Sequence, residues 1–207
     1  MKILSAEFVA SAAAGGRADV IPRDGLPQIA LAGRSNVGKS SLINALTRRK
    51  IARTSAAPGK TRLANIYRVT LQAGPGRWDA YLVDLPGYGY ARGGQDSAAE
   101  LKAVAEGYFR SRGPGARGRE PAPRRAVILC VDARHPGLES DRQAARWLAT
   151  LGVSLHVAAT KVDKLSRSDR TRNLRDLAQA FGTPALPVSA TTGEGLDAVW
   201  KVIVSQT

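Results

Sequence analysis

Eight consecutive residues carry the strongest chemical signal in the chain. Gly33-Arg34-Ser35-Asn36-Val37-Gly38-Lys39-Ser40 spells G-x-x-x-x-G-K-S. Glycines let such a loop curl until successive backbone N–H groups point inward at phosphate oxygens, and a helix starting at its end adds partial positive charge. Lys39 then reaches the β- and γ-phosphates of a nucleotide, and the Ser40 hydroxyl ligates Mg2+.

Four further groupings fall into order behind this loop. Asp84-Leu85-Pro86-Gly87 closes the apolar run Tyr81-Leu82-Val83. A carboxylate there can hold a water on Mg2+, and the Gly87 N–H can donate to a γ-phosphate oxygen; taken alone, D-x-P-G is also an ordinary turn. Thr160-Lys161-Val162-Asp163 follows Leu155-His156-Val157-Ala158-Ala159. Guanine presents N1–H and N2–H2 as neighbouring donors, which one carboxylate accepts together, and adenine has no such pair. Asp163 therefore reads as the guanine acceptor, with the methylene stem of Lys161 laid along the base, although in isolation the tetrapeptide reads equally as a helix N-cap or turn acid. Val188-Ser189-Ala190 ends the next apolar run, where backbone N–H groups could meet guanine O6. Pro58-Gly59-Lys60-Thr61-Arg62 precedes the second strand, and Thr61 is the natural second hydroxyl for Mg2+, closing over the γ-phosphate.

The elements that must position these groups alternate. Gln28–Ala32 reads as a strand ending at Gly33, and Lys39–Arg48 as a helix with Leu42, Ile43 and Leu46 on one face. Asn65–Gln72 and Trp78–Val83 flank Ala73-Gly74-Pro75-Gly76-Arg77 and predict an antiparallel hairpin at the sheet edge. Strand–helix pairs follow at 126–131 with 139–150, 154–159 with 166–181, and 185–188 with 196–204. The expected fold is α/β: a P-loop NTPase with a mostly parallel sheet, one antiparallel edge strand and helices on both faces. Residues 1–27 are expected as an N-terminal extension packed on a domain spanning 28–207. Gly87–Gly94 reads as a moving loop, and Ser111–Arg125 as an exposed Pro/Gly/Arg-rich arm.

Charge bears on partners. Thirty-one Lys+Arg against 17 Asp+Glu give a formal net charge of +14, a positive field that attracts polyanions such as nucleic acid. The alternatives are an anionic membrane surface or simply a solvated Arg-rich exterior. No Lys/Arg-rich amphipathic helix and no membrane-length apolar run is visible, which argues against stable membrane insertion. The single cysteine, Cys130, lies in an apolar run and reads as a buried hydrophobe, as expected of a cytoplasmic protein in a reducing compartment. A monomer is expected.

With the motifs in order, the stretches GRSNVGKSSLINAL, RTSAAPGKTR, DLPGYGYA, DARHP and TKVDKL resemble the EngB-type (YihA/YsxC) family of bacterial GTP-binding proteins, among the TrmE-Era-EngA-EngB-type P-loop GTPases. The resemblance spans about residues 28–200. It implies GTP and GDP as ligands, a role in large ribosomal subunit assembly, and a dependence of normal septation and division on the protein. Carried over position by position, residues 33–40 are the phosphate loop; Gly59, Lys60, Thr61, Arg62 and Leu63 the first switch; and Asp84–Gly87 the second. Thr160–Asp163 and Val188–Ala190 are the base contacts. Arg62 stands where the family commonly has Gln, and the Arg-rich 111–125 segment is long.

Many GTPases orient the attacking water with a Gln just after D-x-x-G. Here that position is Tyr88, so turnover is expected to be slow, with Lys39, Thr61 and Asn36 as the catalytic set. Similar GTPases with Asn at the position of Asn36 bind K+ near the phosphates; the plainer reading of Asn36 is a loop-stabilising amide. Two other classes remain open: a P-loop kinase or ATPase, against which T-K-V-D argues, and a binding switch in which turnover is incidental.

Overall fold

The computed structural model describes residues 2–13, 21–22, 24–54, 63–73, 75–88, 96–110 and 124–205. Along them run β1 (Lys2–Ala12), β2 (Gln28–Gly33), α1 (Lys39–Thr47), β3 (Ala64–Ala73), β4 (Gly76–Asp84), α2 (Asp96–Arg110) and β5 (Arg125–Asp132). There follow α3 (Glu139–Ala149), β6 (Ser154–Thr160), a 3-10 turn at Val162–Lys164, α4 (Arg167–Phe181), β7 (Leu186–Pro187) and α5 (Leu196–Ser205). The strands form one sheet in the order β1-β3-β4-β2-β5-β6-β7, with β4, β2, β5, β6 and β7 mutually parallel.

The two-residue period of the strands divides their side chains between two cores. Ile29, Leu31, Ile128 and Cys130 pack with α1 and α5, whereas Ala30, Ala32, Val127 and Leu129 pack with α2, α3 and α4. Covered on both faces, β2 and β5 are apolar almost without interruption. Leu42, Ile43 and Leu46 of α1 are fully buried, each contributing about 1.5–3 kcal/mol relative to exposure. That anchoring holds the start of α1, and so Lys39 and Ser40, against the ends of β2 and β4.

Two expectations about the sheet and its flanks need correction. The β3–β4 hairpin forms, from Asn65↔Asp84 to Ala73↔Gly76, but it is not at the edge. β1 lies outside it, paired antiparallel to β3 from Lys2↔Gln72 to Ala12↔Ala64. β3 is thus the one strand running against the rest, second from the edge, and the first residues of the chain extend the sheet. Register shifts at Ile3/Ser5 and Phe8/Ala10 interrupt the alternation of β1, which is why its pattern does not read as a strand. The second correction concerns Arg125. It begins β5, its guanidinium lies 5.2 Å from the Tyr108 ring centroid and donates to the Phe109 carbonyl, so it is not part of an exposed arm. Ser111–Pro123, Gly89–Gly94 and Gly59–Arg62 lie outside the described residues.

Candidate nucleotide site

The loop between β2 and α1 is built on close approaches. A Cβ on Gly33 would stand 2.5 Å from the Cys130 carbonyl oxygen, so only glycine lets β2 turn there against β5. Lys39 Nζ folds back over the loop and donates to Gly33 O at 3.1 Å and Arg34 O at 3.2 Å. Burial lowers the Lys39 pKa, opposed by the Asp84 charge. Asn36 is exposed on the rim at φ 60°, and Ser35 N donates to Tyr88 O at 2.9 Å.

At the end of β4, Ser40 Oγ donates to Asp84 Oδ2 at 2.6 Å. Among the described residues the buried Asp84 Oδ1 has no hydrogen-bond partner, and desolvation raises the carboxyl pKa against the pull of Lys39 and Ser40. An orphaned carboxylate oxygen beside a hydroxyl and an ammonium suits a hard, oxygen-liganded cation. Gly87 passes so near the loop that a Cβ would meet the Ser35 backbone at 2.8 Å. Tyr88, one residue on, is turned away: it is buried and its hydroxyl donates to Asp141 Oδ1 of α3 at 2.8 Å.

The other end of the site gathers around Asp163. Ser189 Oγ donates to Asp163 Oδ1 at 2.7 Å while accepting from the N–H groups of Thr191 and Thr192 at 3.2 and 3.1 Å. The Ser189 bond holds the Asp163 carboxyl below the usual range, keeping it an ionised acceptor. Asp163 lines a cleft of about 220 Å3 together with Val37, Gly38, Thr160, Lys161 and Ala190. Thr160 Oγ1 lies 2.8 Å from Val37 O and 3.0 Å from Val131 O, tying this end to the phosphate loop. Lys161, at φ 61°, donates to Asn36 O at 2.7 Å and to Asp132 Oδ2 at 3.0 Å.

One expectation fails here. The N–H groups of Val188 and Ser189 are committed to Ala159 O at 2.8 Å and Glu194 O at 3.0 Å, because Val188 completes the pairing beside β6 and Ser189 closes the following turn. Ala190, which borders the cleft, is the one of the three whose N–H is uncommitted among the described residues.

An ionised carboxylate on the wall of a cleft, with the loop around Lys39 contiguous with it, is an arrangement into which a guanine nucleotide would fit. The family described as 50S ribosome-binding GTPase matches residues 28–161. The probable GTP-binding protein EngB of Solibacter usitatus is 43% identical over 206 residues, covering 99% of this chain and 97% of its own. The chain belongs to the EngB family of GTP-binding proteins. Among solved structures, Era of Aquifex aeolicus bound to GDP·AlF4− is similar in fold, with a TM-score of 0.68 at 20% identity over 88% of this chain and 57% of that one. NFeoB of S. thermophilus, solved with GDP·AlF4− and K+, gives 0.58 at 26% identity over 86% and 61%.

In this EngB-family chain the structure brings together residues 33–40, Asp84–Gly87, Thr160–Asp163 and Ala190, while of the first switch only Leu63 is described. Sequence reasoning missed the hub. Asp132 accepts from Arg134 N, Nε and Nη2 at 3.1, 2.9 and 2.8 Å, and from Lys161 Nζ. Burial opposes its ionisation, but these bonds hold its carboxyl far below the usual range. The signal was present in Asp132-Ala133-Arg134-His135-Pro136, at the end of β5 and level with the other site motifs.

Proposed function

We propose that this chain binds GTP and GDP with Mg2+, hydrolyses GTP slowly, and uses the two states as a switch on the large ribosomal subunit or its precursor during assembly, in the cytoplasm and as a monomer. Normal division and septation depend on it. The working unit is the G domain of residues 28–207, whose sheet β1 of the N-terminal segment extends. The observation that carries the nucleotide reading is the Asp163 carboxylate, oriented by Ser189 on the wall of a cleft contiguous with the phosphate loop.

Ser40 and Thr61 would supply the hydroxyl ligands of Mg2+, and Asp84, with its partnerless Oδ1, would hold it through water. When bound, Mg2+ neutralises charge on the β- and γ-phosphates. Lys39 exchanges its two loop carbonyls for phosphate oxygens. Leu85–Gly87 carry the γ-phosphate signal outward, and Gly59, Lys60, Thr61, Arg62 and Leu63 are the first switch that the family resemblance assigns. Slow turnover follows from Tyr88, whose hydroxyl is occupied by Asp141 and cannot orient a water at the phosphates. Asn36, exposed on the loop rim beside Lys161, is the residue that would ligate a stimulating K+, as the K+ bound in NFeoB suggests.

Co-sedimentation with purified large subunits in GTP, GDP and nucleotide-free states tests the switch. Preferential binding in one nucleotide state is expected, and equal binding in all three would sink it. Turnover in KCl should exceed that in NaCl, and equal rates would remove the role of Asn36.

A further inference from the structure

Arg48-Arg49-Lys50-Ile51-Ala52-Arg53 places four cations in six positions just past α1. All four are exposed, and among the described residues none has a carboxylate within ion-pair distance. Several other arginines do have carboxylate partners: Arg142 and Arg146 share Glu139, Arg172 meets Asp169, Arg170 meets Glu194 and Arg68 meets Asp79. Four exposed cations within six residues make the end of α1 a dense positive patch.

Three of the four border a concavity. An open groove of about 460 Å3 is lined by Arg48, Arg49 and Lys50 on one side and by the polar side chains of Ser41, Asn44 and Thr54. Asn44 clamps Ala52 at two points, donating to its carbonyl and accepting from its N–H, both at 2.8 Å. Arg49 Nη2 donates to Leu4 O of β1 at 3.3 Å, an uncharged acceptor that positions the guanidinium without cancelling it. The groove is thus ordered before any ligand arrives. Arg48 caps α1 at φ 53°, a left-handed position where glycine is the usual occupant and a Cβ is strained. A cation at a helix C-terminus gains from the dipole, but neighbouring Arg49 would supply that without strain.

We propose that this groove is a docking site for the phosphodiester backbone of ribosomal RNA, an inference that rests on the ribosomal reading above. Arginine forks match phosphate geometry, while hydroxyl and amide groups on the floor suit ribose and phosphate oxygens. A bilayer, the other large polyanion, presents a surface that cannot enter a concave groove. The groove shares Ser41 and Ala190 with the guanine cleft, so a strand bound there lies against the nucleotide site.

The test compares wild type, R48G and the quadruple variant R48S/R49S/K50S/R53S, all GDP-loaded, for binding to deproteinised large-subunit rRNA, purified large subunits, and phosphatidylglycerol vesicles. The quadruple variant should lose roughly tenfold or more in rRNA affinity at moderate salt, with the slope of log K against log salt smaller by about 2–4, while GDP affinity is unchanged. R48G should raise the thermal midpoint yet weaken rRNA binding, a combination that lost structure cannot produce. Wild-type rRNA affinity and slope in the quadruple variant would overturn the proposal, as would loss of vesicle binding alone. Failure of wild type to co-sediment with large subunits, while the groove still governs binding to bare rRNA, would remove the ribosomal reading and leave the groove standing.

Discussion

At the scale of single residues, the proposed site assigns the base to Asp163 and the phosphates to Lys39. Asp163 accepts from Ser189 on one side of its carboxylate and faces the cleft with a charge that the serine bond keeps ionised. Asp163→Asn places an amide donor against guanine's own donors, and affinity for GTP should fall on the order of tenfold to a hundredfold, the equivalent of about 1–3 kcal/mol. Xanthine carries an oxygen where guanine has N2, so XTP binding should improve; competition calorimetry with both nucleotides would expose a wrong base reader. Lys39→Ala should leave circular dichroism unchanged, since alanine is the better helix former at the start of α1. GDP affinity should drop by roughly tenfold to a hundredfold as charge-assisted phosphate bonds disappear. Unaltered GDP binding would count against residues 33–40 as the phosphate loop. Both could be nominated from the sequence, because motif and order single them out. Asp132 was not nominated, because one of its partners, Lys161, is brought to it by the pairing of β5 with β6, and the other, Arg134, by the local turn after β5.

At the scale of elements, the connection between β4 and α3 runs through Tyr88. Its buried hydroxyl donates to Asp141, whose carboxyl pKa is raised by burial and drawn back by this bond. The native carboxyl thus titrates above the ordinary 3.8, and the penalty for burying its charge grows as pH rises through that window. Tyr88→Phe removes the donor and lifts the native pKa further. It should destabilise by about 1–3 kcal/mol at neutral pH and by less near pH 4, where the carboxyl is protonated. Denaturant midpoints at the two pH values measure this; an equal loss at both would show that the bond does not serve the ionised form. Elements with unbroken periods, β2, β5, β6, α3 and α4, were readable from the chain alone. β1 was hidden by its two register shifts, and α2 by Gly107 within it and by the Gly- and Arg-rich stretches on either side.

At the scale of the whole molecule, a sheet covered on both faces leaves its centre inaccessible. Cys130 lies there, fully buried, with its thiol pKa pushed up to about 12 by burial, against the pull of Lys39. The thiolate is the reactive form, so a thiol reagent should label Cys130 only when the sheet opens. Labelling in native buffer should proceed at the global unfolding rate and accelerate to full reaction in denaturant. Fast labelling of native protein would mean that β2 and β5 separate locally, which would also loosen Gly33 against Cys130 and the phosphate loop with it.

The sequence by itself determined the class of fold and the order of the motifs along parallel strand ends, and it nominated Lys39, Ser40, Asp84 and Asp163, because these follow from local spacing and side-chain type. Only the tertiary structure decided the place of β1 outside the hairpin, the inward turn of Tyr88, the hub at Asp132, and which N–H of Val188–Ala190 is left uncommitted. Each of those depends on which hydrogen-bond partner a group takes in three dimensions, long-range pairings such as Ala12 with Ala64 and local turns alike, and one-dimensional periodicity carries no information about that choice.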